Sequence, residues 1–305
     1  MFDFLIQLYS SKKRNKILGV FHIYFIKKKI SIILFKILTI VLTFRKVLSI
    51  NKVNRESDII ISLTTFPARI STLWLTIYSL FRQTLMPKKI ILWLSSLQFP
   101  NGLEDIPKNL KKFMKYGLEI YFVDEDIGSH KKYYYTLQFF PKYYIVTVDD
   151  DFVYHSSMLE QLYTTSKNFR DSVVCNYARY IKRDDTGKLC PYNTWPIINN
   201  NDFKPIIHPD IFFGSGGGTL FPPGALYDDC LRKDLLIKLT PKADDIWLNS
   251  MCRLQGSHIV YLNSKYDLFP LKIRNNIKLS DVNLDNNYND NQLDNINKYY
   301  NNIFS

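Results

Sequence analysis

The sequence predicts an α/β domain built on a mixed, mainly parallel central sheet, preceded by a helical N-terminal extension. Short β-branched runs alternate with segments whose apolar residues recur at helical spacing, which is typical of βαβ units. The chain has 305 residues, 46% hydrophobic and 22% charged, so it can bury a large core and is not a disordered protein. A change of composition near residue 56 separates the extension from the domain.

The first predicted strand and helix lie between residues 57 and 81. Asp58–Thr64 is typical of a buried parallel strand, and the polar loop Thr64–Arg69 follows it. Apolar residues then recur on one side of a predicted helix, at Ile70, Leu73, Trp74, Ile77, Leu80 and Phe81. The later elements are strand Ile90–Leu94, helix Pro107–Tyr116, strand Leu118–Val123, helix Lys131–Phe140 and strand Tyr143–Val148. Such sheets bind ligands beyond the carboxyl ends of their strands, so we expect the site in the loops that follow the strands.

Residues 1–56 form a basic and apolar segment that we expect to associate with a membrane. Of the 40 Lys and Arg residues, 12 lie within residues 1–55, where Asp3 is the only acid. The longest apolar run, Ile30–Phe44, contains Lys36 and is shorter than the ~20 residues of a spanning helix. No small-residue cleavage site of a secretory signal follows it. The sequence therefore predicts helices in the membrane interface, while a helical extension packed on the domain or on a partner stays open.

Charge and cysteine usage indicate the location and exclude one class of partner. Residues 56–305 hold 28 basic and 27 acidic residues, so the domain lacks the strong positive charge typical of nucleic-acid-binding proteins. Basic residues beside the membrane, and four cysteines without a CxxC pair, indicate a cytoplasmic protein peripheral to the inner face of the cell membrane. We expect the cytoplasmic membrane surface as a partner, and no nucleic acid.

Three common motifs are missing from the sequence. It contains no P-loop pattern GxxxxGK[ST], no GxGxxG after the first strand and no GxSxG nucleophile elbow. These absences argue against a P-loop nucleotide hydrolase, a dinucleotide-dependent dehydrogenase and an α/β-hydrolase.

Three successive carboxylates, Asp149, Asp150 and Asp151, close the fourth predicted strand. Their repulsion costs free energy unless a cation neutralises them. If the chain stays extended, Asp149 and Asp151 point to the same side of the sheet. Hard oxygen ligands suit Mn²⁺ or Mg²⁺, and these ions also hold substrate phosphates. The position at the end of a central strand favours a metal site at Asp149 and Asp151 over the alternative, a solvated acidic turn.

Four segments carry a family resemblance across residues 57–262: SLTTFPARI (Ser62–Ile70), IVTVDDDFVY (Ile145–Tyr154), GSGGGTLFPPG (Gly214–Gly224) and PKADDIWL (Pro241–Leu248). In this order they resemble the GT-A class of nucleotide-sugar-dependent glycosyltransferases, in particular the family-2-like bacterial enzymes of polysaccharide synthesis. The resemblance implies a single GT-A, Rossmann-like domain at residues 57–274. It also implies a nucleoside-diphosphate sugar donor and a divalent metal.

The resemblance implies a donor-binding role for several residues. In the family the DxD motif contacts the ribose and holds the metal on the pyrophosphate, which assigns Asp149 to the ribose and Asp151 to the metal. The loop after the first strand cradles the nucleoside, a later loop offers lysines to the pyrophosphate, and the glycine loop lines the donor sugar and the acceptor. The implied set is Thr64, Thr65, Arg69, Lys131, Lys132, Asp149, Asp150, Gly216 and Gly217. An exposed position without such a role is the alternative for Arg69 and for either lysine.

The resemblance also implies a catalytic base. Inverting transfer needs a carboxylate that takes the proton of the acceptor hydroxyl. The family pattern Glu-Asp-x-x-Leu matches Asp244–Leu248 with Asp in place of Glu, which implies Asp245 as the base. Asp244 competes for the role, because helical spacing turns it further inward. We expect Thr240 as the N-cap and Pro241 at the first helical position, and favourable carboxylates at a helix N-terminus are the alternative explanation.

The sequence therefore predicts a metal-dependent, membrane-associated and inverting glycosyltransferase. It would act on a glycan or lipid-linked acceptor in surface polysaccharide or lipid-linked glycan synthesis. A metal-dependent phosphoesterase or nucleotidyltransferase, and a non-catalytic sugar-nucleotide-binding protein, remain the alternatives. Residues 275–305 are an Asn-rich, low-complexity tail with one short helix expected near Leu293–Tyr300.

Overall fold

The computed structural model describes residues 50–199, 202–266, 268–271 and 288–304. The predicted membrane segment lies outside the described residues, apart from its last seven positions, 50–56. Within the described ranges, no helix has both the length and the apolar character needed to cross a membrane.

Strands and helices alternate in the first half of the domain, and shorter strands dominate the second half. The strands are β1 (Ile59–Thr64), β2 (Lys89–Ser95), β3 (Leu118–Val123), β4 (Tyr144–Val148), β5 (Phe152–Val153), β6 (Val173–Cys175), β7 (Ala178–Tyr180), β8 (Ile206–Ile207), β9 (Ile211–Phe213), β10 (Gly217–Phe221), β11 (Ile259–Tyr261) and β12 (Phe269–Pro270). The helices are α1 (Leu73–Leu80), α2 (Lys108–Lys111), α3 (Lys131–Phe139), α4 (Met158–Asn168), α5 (Lys233–Leu239), α6 (Asp244–Gln255) and α7 (Tyr288–Tyr299). A 3₁₀ helix, Lys112–Tyr116, continues α2.

One large sheet organises the domain. Its strand order is β3-β2-β1-β4-β10-β6-β11-β8. β3, β2, β1 and β4 are parallel, and β11 is parallel to β6, whereas β10 runs antiparallel between β4 and β6 and β8 is an antiparallel edge. The sheet is therefore mixed and mainly parallel, which confirms the predicted α/β fold class.

Both faces of the sheet are buried, because alternate residues of its strands enter two different cores. In β1, Ile59 and Ile61 contact the core beneath α1 and α4, whereas Ile60 contacts the core beneath α3, α5, α6 and α7. A strand that is covered on both faces has buried residues at successive positions. This is why three isoleucines follow one another in β1, while the buried Ser62 hydroxyl donates to the carbonyl of Lys132 at 2.5 Å.

The parallel register places the loops that follow the strands at one edge of the sheet and the loops that precede them at the other. Ile61 of β1 pairs with Ile90 of β2 and with Val146 of β4, so the strand ends are aligned. We call the edge beyond Thr64, Ser95, Val123 and Val148 the carboxyl edge, and the edge before Ile59, Lys89, Leu118 and Tyr144 the amino edge. The polar loops that follow β1, β3 and β4 meet at the carboxyl edge, as the topology of such sheets requires.

The helix with the paired aspartates begins later than predicted. α6 begins at Asp244 with Ala243 as its N-cap, so the expected start at Thr240 and Pro241 is wrong. Thr240 instead ends α5, where its amide donates to the carbonyl of Leu236 at 2.9 Å. The aspartates consequently occupy the first turn of α6, where free backbone amides and the helix dipole favour negative charge.

The described part of the Asn-rich tail packs on the domain. Its helix, α7, overlaps the short helix expected near residues 293–300 and buries Leu293 and Ile296. Gln292 Oε1 accepts a hydrogen bond from the amide of Lys242 at 3.0 Å, just before α6. Phe304, which follows α7, is fully buried. The C-terminal segment is therefore part of the core beside the helix that carries the aspartates.

Ile296→Ala should lower the free energy of unfolding by about 2–5 kcal/mol, because it leaves a cavity beneath α7. Chemical denaturation followed by circular dichroism measures the change. Asp294→Ala, at an exposed position of the same helix, is the control and should change it by about 0.5 kcal/mol or less. Equal effects of the two substitutions would show that α7 does not pack on the core.

Candidate active site

The aspartate cluster, Asp149–Asp151, meets the loop after β1 because β1 and β4 are neighbours in the sheet. Asp150 turns inward, and its carboxylate accepts hydrogen bonds from Thr65 Oγ1 at 2.5 Å and Arg69 Nη1 at 2.7 Å. The hydroxyl of Thr76 in α1 donates to the carbonyl of Asp150 at 2.9 Å. These bonds hold a turn at Asp150, so the chain does not continue extended through the cluster.

Arg69 is a buried cation that serves two carboxylates. Its guanidinium lies 3.1 Å from Asp151 Oδ2 in addition to its contact with Asp150, and its side chain is only 10% exposed. Burial lowers the pKa of Arg69, but the charges of Asp150 and Asp151 outweigh burial and raise the pKa above its usual value. Arg69 is therefore not a surface residue, and it fixes the loop after β1 on the aspartate cluster.

Asp149 and Asp151 form the accessible side of the cluster, with 40% and 25% of their side chains exposed. One carboxylate oxygen of Asp151, Oδ1, is buried without a hydrogen-bond partner. Burial, and next the charge of Asp149, raise the pKa of Asp151 to about 7. A cation held between the two carboxylates would relieve both the repulsion and the missing contact.

The carboxylates of Asp149 and Asp151 can hold a metal ion only together with further ligands. Among the described residues, no group of three or more His, Cys, Asp or Glu side chains could hold a metal ion. Mg²⁺ commonly binds through one or two carboxylates and takes its other ligands from water and substrate phosphates. The residues Asp149 and Asp151 fit this open kind of site, and they do not form a closed metal centre.

The glycine loop lies directly against the cluster. A Cβ at Gly216 would lie 1.8 Å from Asp149 Oδ2, so a side chain at this position would displace the carboxylate. The amide of Asp149 donates to the carbonyl of Gly216 at 3.0 Å, and Tyr154 Oη donates to the same carbonyl at 2.5 Å. Glycine at position 216 therefore lets the carboxylate of Asp149 lie against the backbone of the glycine loop.

The adjacent lysines of α3 have different partners. Lys131 Nζ contacts Asp126, whereas Lys132 Nζ lies 2.7 Å from Asp149 Oδ1 and 2.9 Å from Asp244 Oδ2. Both lysine side chains are only 3% exposed, so the exposed position considered from the sequence is wrong for both. Burial lowers the pKa of Lys132, but Asp149 and Asp244 outweigh it and raise the pKa above its usual value. Lys132 therefore joins the aspartate cluster to the N-terminus of α6.

The two aspartates of α6 have opposite electrostatic surroundings. Burial would raise the pKa of Asp244, but the Lys132 ammonium outweighs it and the pKa falls below its usual value. Burial, and next the charge of Asp244, raise the pKa of Asp245 to about 7. Asp244 is almost fully buried, whereas Asp245 is half-buried. The pair thus separates into a permanent anion and a carboxylate that exchanges a proton near neutral pH.

Ser215 is a contact that the sequence did not predict. Its hydroxyl donates to Asp244 Oδ2 at 2.6 Å, and its amide donates to Asp245 Oδ1 at 2.7 Å. No local pattern in the sequence shows that the glycine loop reaches α6. Ser215 therefore fixes the positions of Asp244 and Asp245 relative to Gly216.

His130 is a second residue that the sequence did not predict. It is buried and contacts the chain just before α6. Its ring lies between the carbonyl of Thr240 and the hydroxyl of Tyr133, with Nε2 and Nδ1 each 2.7 Å from its partner. A carbonyl only accepts, so Nε2 carries the hydrogen and Tyr133 donates to Nδ1. Burial lowers the pKa of His130, which keeps the ring neutral and ties α3 to the chain just before α6.

Thr64 and Gly217 complete the predicted set, at the edge of the site. Thr64 Oγ1 donates to the carbonyl of Trp93 at 2.8 Å and so is engaged with β2. A Cβ at Gly217 would lie 2.5 Å from Tyr177 Cβ, which explains the lack of a side chain there. Within the described residues, no hydrogen bond joins the side chain of Thr64 to the aspartate cluster.

Comparison with solved structures finds chains of S. aureus TarS 1–349. The complex with UDP aligns at 11% identity and a TM-score of 0.46, over 70% of this chain and 60% of that chain. The complex with UDP-GlcNAc aligns at 13% identity and a TM-score of 0.43, over 73% of this chain and 60% of that chain. The form without a named ligand aligns at 11% identity and a TM-score of 0.41, over 70% of this chain and 59% of that chain. This chain therefore spans less than two thirds of those chains. No family model matches the sequence, and no curated protein matches it.

Lys132→Met would leave Asp149 and Asp244 without the cation that they share. Because it leaves buried charge uncompensated, we expect the free energy of unfolding at pH 7 to fall by about 3–5 kcal/mol, measured by chemical denaturation. Lys89→Met, which removes a more exposed pair with Glu119, is the matched control and should cost about 0–1 kcal/mol. A loss no larger than that of the control would show that Lys132 does not bridge the two carboxylates.

Proposed function

We propose that the chain is an inverting glycosyltransferase that moves a sugar from a nucleoside-diphosphate sugar to an acceptor hydroxyl. The observation that carries the proposal is the meeting of two different carboxylate sites at one edge of the sheet. Asp149 and Asp151 offer oxygen ligands for a metal-bound diphosphate, and Asp245 offers a proton acceptor with a pKa of about 7. The sequence resemblance in IVTVDDDFVY and PKADDIWL supports the same reaction.

The donor would bind at the aspartate cluster. Asp149 and Asp151 would hold Mn²⁺ or Mg²⁺, and the bound ion would stabilise the charge of the leaving diphosphate. Thr65 and Arg69 hold Asp150 inward, so the turn has its shape before any ligand binds. Such preorganisation lowers the cost of ordering the site when the donor arrives.

Asp245 would act as the general base. Ser215 holds one carboxylate oxygen of Asp245, while the other lies 3.8 Å from the position that a Cβ would take at Gly214. The same Cβ position lies 2.7 Å from Tyr177 Cδ1, so the Tyr177 ring lies beside this oxygen of Asp245. Asp245 would take the hydroxyl proton as the acceptor oxygen bonds to the anomeric carbon, and the diphosphate would leave with the electrons of the broken bond. Asp244 would remain an anion that positions Lys132.

We place the reaction in surface polysaccharide or lipid-linked glycan synthesis, at the cytoplasmic face of the cell membrane. The basic and apolar blocks of residues 1–56 support membrane association, because lysine clusters bind anionic headgroups and short apolar helices lie in the interface. The acceptor would accordingly be a glycan or a lipid-linked glycan that reaches this surface.

Calorimetric titration of UDP into the full chain, with and without Mn²⁺, tests the donor site, and UDP is chosen because the compared TarS chain binds it. We expect binding that needs Mn²⁺ and that Asp151→Asn weakens on the order of tenfold or more. Asp185→Asn, which removes an exposed carboxylate outside the cluster, should bind like the parent. If neither UDP nor ADP, GDP, CDP or dTDP, titrated in the same way, binds, or if Mn²⁺ has no effect, the proposed donor site is wrong.

Asp245→Asn should lower transfer by about 10²–10⁴-fold, because a general base contributes that much, while UDP affinity stays unchanged. In the parent, only the deprotonated form of Asp245 accepts a proton, so the rate should rise from about pH 6 to pH 8. Release of nucleoside diphosphate from a panel of sugar nucleotides, with a membrane extract as acceptor source, measures the rate. A rate independent of pH over this range would instead favour Asp244, whose pKa is lowered.

A further inference from the structure

The two edges of the sheet carry opposite charge, although residues 56–305 are almost neutral in total. Acidic residues outnumber basic ones at the carboxyl edge, which has Asp124, Glu125, Asp126, Asp149, Asp150, Asp151, Asp244 and Asp245 with Arg69, Lys131, Lys132 and Lys233. Basic residues outnumber acidic ones at the amino edge, which has Lys52, Arg55, Lys88, Lys89, Lys112, Lys115, Lys142, Lys167 and Arg170 with Glu56, Asp58, Glu119 and Asp171. Such a separation orients a protein in an external field even when its net charge is small.

The residues before β1 are built into the amino edge. The amide of Val53 donates to the carbonyl of Tyr116 at 3.1 Å, and the amide of Asn54 donates to the carbonyl of Pro87 at 2.9 Å. A Cβ at Gly117 would lie 2.5 Å from Val53 Cγ2, so Val53 packs directly on the chain that enters β3. Residues 1–49, with their basic and apolar blocks, are therefore joined to the domain at this edge.

Much of the positive charge at the amino edge is left exposed by the residues that the structure describes. At this edge, Lys52, Arg55, Lys112, Lys115 and Lys142 are exposed, and no other described residue forms an ion pair with them. Met114, 38% exposed, lies in the chain between two of these lysines. Lys89, in contrast, is already paired with Glu119 at 2.5 Å.

We infer that the amino edge is a second membrane-docking face, which binds anionic lipid headgroups beside the N-terminal segment. Each Lys or Arg near an anionic surface contributes about 1 kcal/mol, and the acidic carboxyl edge is repelled from it. A nucleic acid would also attract these cations, but it offers nothing to the apolar blocks that precede residue 50 in the sequence. The observations therefore favour a membrane.

This inference rests on the proposed membrane association and adds an orientation to it. β1 has six residues, and at ~3.3 Å per residue its ends lie roughly 20 Å apart. With the amino edge on the headgroups, the candidate active site faces away from the bilayer. An acceptor must then extend roughly that far from the headgroups to reach Asp245.

Co-sedimentation of the full chain with vesicles tests the docking face. The vesicles contain phosphatidylcholine with phosphatidylglycerol, or phosphatidylcholine alone. The test variant is Lys112→Gln with Lys115→Gln, and the matched control is Lys182→Gln with Lys188→Gln, which neutralises two exposed lysines in the loop after β7. We expect the test variant to lose on the order of 20-fold in affinity for the anionic vesicles, roughly fivefold for each lysine, and the control to bind like the parent.

Equal binding of parent and test variant, or an equal loss in test and control variants, would overturn the inference. Binding of polyuridylate RNA that the test variant loses, while vesicle binding is unchanged, would assign the edge to nucleic acid instead. Unchanged melting temperatures show that both variants are folded. Vesicle binding needs neither a nucleotide nor turnover, so its failure is distinguishable from failure of the proposed transferase activity.

Discussion

Repulsion among carboxylates crowded at one edge of the sheet is the constraint on which the rest of the structure depends. The carboxylates come from the turn after β4 and from the first turn of α6, and two buried cations lie among them. Arg69 binds within the aspartate cluster, and Lys132 joins Asp149 to Asp244. Since buried ion pairs cost nearly as much in desolvation as they return in attraction, the main effect of this network is to fix positions.

Arg69 and Lys132 do not fully offset the repulsion among the carboxylates. The repulsion that is left acts on Asp151 and Asp245, the two residues that we propose take part in the reaction. Asp151 and Asp245 both keep a pKa raised to about 7, one beside Asp149 and the other beside the anion Asp244. The glycine loop brings the two places together, because it lies against Asp149 at Gly216 and holds both aspartates of α6 through the preceding serine. In the proposed reaction, Asp151 would bind the metal ion and Asp245 would accept the proton of the acceptor hydroxyl.

The sequence predicts the fold where periodicity and burial agree, since a strand covered on both faces has buried residues at successive positions. It misplaces the start of α6 because Thr240 satisfies capping preferences yet belongs to the end of α5. Lys131 and Lys132 are indistinguishable in sequence, and only the packing of α3 beside α6 separates their partners. Ser215 and His130 act on residues 29 and 110 positions away, which no local pattern can reveal.

Anomalous diffraction at the manganese absorption edge, from crystals of the chain grown with Mn²⁺ and UDP, tests whether Asp149 and Asp151 hold a metal-bound diphosphate. We expect one manganese peak within coordination distance of carboxylate oxygens of both Asp149 and Asp151 and of the diphosphate, with Lys132 still bound to Asp244. A manganese peak elsewhere, or a diphosphate bound at the carboxyl edge without manganese and away from these side chains, would contradict this expectation.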